Sequence, residues 1–136
     1  MPEFLLDTGI ATDVIKRQPR DAMGVFNANA GHMAISAITP GEWRHGAEKS
    51  AKVTQCLAVV EELASLLEVL PCTAEAAQHH GAIRRALEHT GRPIGLNDLH
   101  IATHARSEGL TLVTYKPGEF ERVPGLPSEN RVANLP

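Results

Sequence analysis

Three acids stand where strand-like or turn-forming stretches hand over to helical patterns. Asp7 follows the apolar run Phe4-Leu5-Leu6, Glu42 follows Ile35-Ser36-Ala37-Ile38-Thr39, and Asp98 follows the turn Gly91-Arg92-Pro93-Ile94-Gly95. Hard cations such as Mg²⁺ or Mn²⁺ take oxygen ligands and keep several of their waters, so two or three carboxylates can hold one or two of them. Such ions turn water into a nucleophile, orient it, and stabilise charge developing on a phosphodiester. Glu119, beyond the last strand-like run, is a fourth acid for the same pocket, as a ligand or a holder of water. Each acid also has a plain structural reading. Asp7 can cap the helix that follows it. Glu42 falls at the acid position of a capping box begun by Thr39, with Pro40 at the first helical position. Asp98 sits in a first helical turn, where free N–H groups and the helix dipole favour a carboxylate. Glu119 can be a solvated surface acid.

The elements that must position these acids follow from periodicity and punctuation. Glu3 to Leu6 reads as a short buried strand ended by Asp7-Thr8-Gly9, and a helix runs from there to about Arg17, stopping before Pro19. Asp21 to Ala30 suits a second helix with Gly31 as its stop, and His32 to Ala37 a second strand. A helix is expected to start at Thr39-Pro40-Gly41-Glu42. Between Lys52 and Leu67, the residues Leu57, Val60, Leu63, Ala64 and Leu67 recur at helical spacing. Glu68 to Leu70 can form a short strand before Pro71. Ala74 to His89 is helical, with Ala76, Ala77, His80, Ile83 and Leu87 on one side. Asp98 to Glu108 makes a further helix closed by Gly109, Leu110 to Thr114 a strand rich in β-branched residues, and the tail from Pro127 to Leu135 an edge strand. Strands separated by helices predict an α/β layer with a mostly parallel sheet and right-handed crossovers. Sites in such folds lie beyond the carboxyl ends of the strands. Asp7 and the loop after Thr114 belong at that end by construction, and Glu42 and Asp98 at helix starts can join them.

Bulk properties bound the reading without deciding it. A chain of 136 residues with 43% hydrophobic and 21% charged residues suits a single domain over its whole length. No apolar run approaches the roughly 20 residues that cross a bilayer, and Met1-Pro2-Glu3-Phe4 lacks the basic and apolar regions of a signal peptide. The expected compartment is the cytoplasm, with Cys56 and Cys72 as buried free thiols rather than a disulfide. The net charge of −3 does not advertise a nucleic-acid binder. The basic groups Lys16-Arg17 with Arg20, Lys49 with Lys52, Arg84-Arg85 and Arg92 read first as solvated helix faces and only second as phosphate contacts.

Other chemistries find little support. His100 and His104 stand one helical turn apart, a spacing that suits zinc, but no H-E-x-x-H motif or third ligand accompanies them. His45 and His79-His80 carry no pattern. The G-x-S-x-G turn of hydrolases, the phosphate-binding G-x-x-x-x-G-K-[ST] loop and the dinucleotide G-x-G-x-x-G loop are all missing. Trp43 and Tyr115 read as packing or interface residues rather than platforms for bases, with Tyr115 close to the acidic pocket.

At the acids the chain resembles the PIN-domain proteins, specifically the VapC-type toxin ribonucleases of bacterial type II toxin–antitoxin pairs. Leu5-Leu6-Asp7-Thr8 resembles the family's opening Leu-Asp-Thr-Asn. Glu42 with Gly46-Ala47-Glu48-Lys49-Ser50 resembles its second acidic block. Gly91 to Asp98, followed by Ala102, His104, Ala105 and Arg106, resembles the third, which is the most specific piece. Leu112-Val113-Thr114 with Glu119-Phe120-Glu121-Arg122-Val123-Pro124-Gly125-Leu126 resembles the closing block. The resemblance implies an α/β/α sandwich, Mg²⁺- or Mn²⁺-dependent RNA cleavage, transfer RNA as one substrate class, frequent homodimers, and inhibition by a small cognate antitoxin. It assigns the metal-site acids to Asp7, Glu42 and Asp98, and the fourth catalytic acid to Glu119. Such an antitoxin is expected to cover the apolar groove of the early helices and insert a basic side chain among the acids.

The sequence departs from that pattern at Gly9, where the family carries Asn, at Pro40-Gly41, and at Tyr115-Lys116, where it commonly has Asn or Asp. These positions define a second reading, a PIN-like module that binds RNA or an antitoxin without efficient cleavage.

Overall fold

The computed structural model describes residues 2–16, 33–65 and 67–129. The helix expected over Asp21–Ala30 with Gly31 behind it, the basic residues Arg17 and Arg20, and the tail beyond Glu129 lie outside the described residues. Five strands, β1 (Phe4–Leu6), β2 (Met33–Ser36), β3 (Glu68–Leu70), β4 (Thr111–Val113) and β5 (Ser128–Glu129), form one parallel sheet in the order β3-β2-β1-β4-β5. The described helices are α1 (Thr8–Lys16), α2 (Ile38–Glu48), α3 (Val53–Ser65), α4 (Ala74–His89), α5 (Leu96–Ser107) and the single turn α6 (Pro117–Phe120).

Strand β1 is central, and all three of its residues are buried. A parallel strand covered by helices on both faces is apolar throughout rather than alternating, which is why Phe4-Leu5-Leu6 has no polar partner face. Leu5 packs with Ala34 and Leu112 of the neighbouring strands and with Ile83 and Leu87 of α4, Leu99, Ile101, Ala102 and Ala105 of α5, and Phe120. Phe4 and Leu6 face the other way, against Ile10 and Ala11 of α1, Met33, Ile35, Val113 and the half-buried Trp43. Each large side chain buried in these two cores contributes about 1.5–3 kcal/mol relative to exposure. Helix α4 packs along α5 on the first face, and α3 packs along α2.

The register fixes the site. Leu6 pairs with Ile35 on one side and Val113 on the other, so β1, β2 and β4 end at one level. The next residues, Asp7, Ser36 and Thr114, form a row at the carboxyl edge, and all three are buried. Alternation turns Asp7 to the side of Leu5, the face covered by α5.

Helix boundaries differ from expectation at two acids. Helix α2 starts at Ile38 after Ala37, which makes no side-chain cap, instead of being capped by Thr39. The capping box is therefore absent. The Thr39 and Glu42 side chains both turn to Thr8. Pro40 is still within the first turn, where its missing N–H leaves no intrahelical bond unmade. Helix α5 starts two residues earlier than expected, at Leu96, with Gly95 at its cap and Asp98 in its first turn. Elsewhere the boundaries follow local chemistry. The Thr73 hydroxyl caps α4 by accepting from Ala76 N–H at 3.3 Å, and Gly109, at φ 69°, ends α5 in a left-handed conformation that a side chain would strain. Ala77, expected on the buried side of α4, is exposed, and so is Val69 of the edge strand β3.

Arg106 ties the α5 end of the molecule together. Its Nε donates to His79 Nδ1 of α4 at 3.1 Å, and its Nη1 donates to the Pro124 carbonyl at 3.0 Å.

Candidate active site

Asp7 is the buried centre of the carboxyl edge, with 3% of its surface exposed. Its N–H donates to the Val113 carbonyl at 2.9 Å, continuing the β1–β4 ladder by one residue. Its side-chain Oδ2 accepts the Thr114 hydroxyl proton at 2.8 Å. The carboxylate also takes the Thr8 backbone N–H, as a cap would. Burial pushes the Asp7 carboxyl up from its ordinary range, and the Asp98 charge nearby adds to this. The Thr114 hydroxyl, Lys116 and the Thr8 N–H offset it only in part. A carboxylate held against its desolvation cost beside a second carboxylate marks a functional site, because nothing in core packing requires it.

Glu42 reaches the same edge from the other face. The Thr8 hydroxyl donates to Glu42 Oε1 at 3.0 Å and lies 2.9 Å from the Thr39 hydroxyl. A hydroxyl has one proton, so Thr8 spends it on Glu42 and accepts from Thr39. Thr39 is fully buried, and this pairing satisfies its hydroxyl. Trp43, the next residue, donates from Nε1 to Thr12 Oγ1 of α1 at 2.9 Å, which locks the two helices in relative position. Two consecutive residues of α2 are thus fixed to α1, one by a carboxylate and one by an indole.

Asp98 and Glu119 converge on a cation supplied by the chain. Lys116 Nζ lies 3.1 Å from Asp98 Oδ2 and 3.8 Å from Glu119 Oε2. The Lys116 backbone N–H donates to Thr114 Oγ1 at 3.0 Å, so the same hydroxyl that holds Asp7 also anchors Lys116. Partial burial lowers the affinity of the Lys116 amine for its proton, but Asp98, then Glu119 and Asp7, overcome this and raise it above the usual range. The ammonium is charged at any physiological pH.

The structure therefore brings Asp7, Asp98 and Glu119 around one cationic group and links Glu42 to them through Thr8. Among the described residues, no group of three or more His, Cys, Asp or Glu side chains is disposed to hold a metal ion as it stands. The donor chemistry nevertheless suits a hard divalent ion, since the groups are carboxylates and hydroxyls, and a positive charge already occupies their midst. All four acids are engaged with internal partners, Asp7 with Thr114, Glu42 with Thr8, and Asp98 and Glu119 with Lys116. The hydroxyls of Thr8, Thr39 and Thr114 are the part of the site that residue-type reasoning missed. The signal available for them was position, since Thr8 follows the first acid and Thr114 follows the strand that pairs with it.

The remaining chemically suggestive residues go elsewhere. His104 is buried, with Nδ1 2.8 Å from Ser36 Oγ, while its Nε2 has no hydrogen-bond partner. His100 packs its ring on His80, centroids 5.1 Å apart, so the two histidines of α5 do not act as a pair. Cys56 and Cys72 are free thiols, but against expectation neither is buried, Cys56 being half-buried and Cys72 exposed. Tyr115 is part-exposed at the rim, and a Cβ built on Gly9 would lie 4.0 Å from its ring. Two of the departures from the family pattern are thus neighbours.

The chain is similar to known proteins over nearly its whole length. The PIN domain profile matches residues 4–126. A Haemophilus influenzae protein named ribonuclease VapC2 is 47% identical over 132 residues, covering 97% of this chain and 100% of its own length. A Shigella flexneri protein named tRNA(fMet)-specific endonuclease VapC is 47% identical over 130 residues, covering 96% of this chain and 98% of its own. Among solved structures, the DNA-bound VapBC of Salmonella typhimurium superimposes with a TM-score of 0.91 at 45% identity, over 96% of this chain and 99% of that one. VapBC2 of Rickettsia felis, bound to a promoter DNA fragment, gives 0.86 at 35% identity, over 93% and 97%.

Proposed function

Because this chain belongs to the PIN-domain family, among its VapC-type ribonucleases, we propose that it is an endoribonuclease toxin that cleaves RNA phosphodiester bonds and is restrained by a cognate antitoxin. The observation that carries the proposal is Asp7, a buried carboxyl group at the carboxyl edge of the sheet that accepts the Thr114 hydroxyl proton, with Asp98 close enough to repel its charge. Near-full-length identity to proteins named as ribonucleases supports the RNA substrate. The relatives named for a transfer RNA support that class of RNA, and the solved complexes with an antitoxin support a protein inhibitor. The whole chain acts as one domain, works in the cytoplasm, and pairs as a homodimer.

Asp7, Glu42 and Asp98 would hold Mg²⁺ or Mn²⁺. When bound, the ion supplies Lewis-acid stabilisation and an activated water for attack on phosphorus. The chain's own residues do the rest. Thr114 and Thr8 orient the Asp7 and Glu42 carboxylates, so that little reorganisation is needed when charge develops. Glu119, at the rim, is the acid that holds or relays water. Burial of Asp7 keeps its field unscreened by solvent.

The second reading, a PIN-like module with weak or no cleavage, draws on Lys116 bound to Asp98. One experiment separates the two. Purified protein is incubated with transfer RNA and with a mixed RNA pool in Mn²⁺ or Mg²⁺, beside EDTA and the Asp98→Ala variant. Metal-dependent cleavage that disappears in both controls is expected. Folded wild type as inert as the variant would overturn the nuclease reading and leave the binding module.

A further inference from the structure

Lys116 is unlike the other exposed lysines, because the site itself fixes where it stands. Its backbone N–H is tied to the Thr114 hydroxyl, and that hydroxyl is tied to Asp7. Its carbonyl accepts the N–H of Glu119 at 3.1 Å, opening the α6 turn and turning the Glu119 carboxylate back toward the same ammonium. The root of the side chain is anchored to one carboxylate while its tip contacts two others. The Lys116 side chain is 52% exposed, so its tip reaches Asp98 from the solvent side.

We infer that Lys116 is a tethered cation that holds the acidic site in a metal-free form and competes with the divalent ion for Asp98. The inference rests on the metal-dependent reading proposed above. Asp7 and Asp98 repel each other when both are ionised, and an ammonium nearby relieves that repulsion in the absence of metal. A divalent ion brings two charges to carboxylates that Lys116 already neutralises in part, and the ion must also tolerate or expel the ammonium. The pair is solvent-accessible at its lysine end, so a divalent ion can displace the ammonium, and the flexible four-carbon stem lets it swing into solvent. The result is a threshold. The site fills at higher metal concentration than its carboxylates alone would set, and the apoprotein is stabilised at neutral pH.

The test is Mn²⁺ binding by the full chain, read as loss of the free-ion EPR signal and, independently, as the rise in thermal midpoint with added Mn²⁺. Wild type is compared with Lys116→Met, which keeps the stem and removes the charge, with Lys116→Arg, which keeps the charge, and with Asp98→Ala. The expected result is about fivefold tighter Mn²⁺ binding by Lys116→Met, the equivalent of an exposed ion pair of about 1 kcal/mol. Lys116→Met should also show a lower midpoint without metal and a larger rise with it, while Lys116→Arg stays near wild type. Equal or weaker binding by Lys116→Met, with Mn²⁺ binding still lost in Asp98→Ala, would overturn the inference and leave the metal site standing. Absence of Mn²⁺ binding in all four proteins would overturn both.

Discussion

The Thr114 hydroxyl donates to the Asp7 carboxylate across 2.8 Å, joining residues 107 positions apart in the chain. The β1–β4 register makes this contact possible, because Leu6 pairs with Val113 and the next residue of each strand falls side by side. The pair links the central strand to the loop that carries Lys116 and Glu119, and so couples the buried half of the site to its rim.

Replacing Thr114 by Val should remove that bond and leave a buried carboxylate short of a donor. A hydrogen bond to a charged group contributes about 1.5–3 kcal/mol, so urea unfolding should show a loss of that order, with cleavage of RNA also reduced. Thr114→Ser keeps the donor and should retain most of both. Equal stability of the Val and Ser variants would show that the bond is not holding Asp7.

Asp7→Asn should abolish cleavage yet stabilise the apoprotein. Burial raises the folded-state affinity of Asp7 for its proton above that of the unfolded chain. The folded state therefore binds more protons in the window above pH 3.8, and stability falls as pH rises through the folded-state value. Asparagine has no charge to desolvate and can still accept from Thr114. A gain on the order of 1 kcal/mol at pH 7 is expected from thermal or urea melts. A less stable variant at neutral pH would contradict this account of Asp7.

Thr8→Val should release Glu42 and strand the buried Thr39 hydroxyl. Thr8 is a positioning residue, and loss of groups that orient ligands commonly lowers metal affinity or activity about 10–100-fold. Mn²⁺ affinity and cleavage should both fall, and Thr8→Ser, which restores the donor, should recover them. If the Val variant lost stability alone while binding Mn²⁺ normally, Glu42 would not belong to the metal site.

His104 predicts an acid limb in stability. Burial lowers its affinity for a second proton, with the Glu108 charge opposing weakly. The unfolded chain then binds more protons below about pH 6.5, so stability is intact above that value and declines as pH falls toward the folded-state value. His104→Asn, whose amide can reach Ser36 from the Nδ1 position, should flatten the slope of unfolding free energy as pH falls below 6.5. His80, also shifted downward, chiefly by burial, contributes to the same limb, so the slope should shrink without vanishing.

The class of fold was legible along the chain, and position at strand ends and helix starts singled out the candidate acids. An unbroken apolar run such as Phe4-Leu5-Leu6 can be satisfied only between two helical layers, and alternation of such runs with helical periodicity leaves a parallel sheet as the economical solution. The carboxyl-edge rule then put Asp7 at the site, and the resemblance around Gly91–Asp98 and the closing block named the family. Local pattern misled at Glu42, because a capping box and a site acid look the same along the chain. The tertiary structure removed the capping box, since α2 begins at Ile38 and the Glu42 carboxylate accepts from the Thr8 hydroxyl of α1 at 3.0 Å. It also decided that the two histidines of α5 part company, His104 to Ser36 and His100 to His80. Position beside the acidic pocket already marked Lys116 as a group that could neutralise part of it, but that Asp98 is the acid it meets was beyond local reading. That pairing depends on how the strand register, the loop after β4 and the start of α5 meet in space, and a hydrogen bond or ion pair between distant residues leaves no periodic trace in sequence.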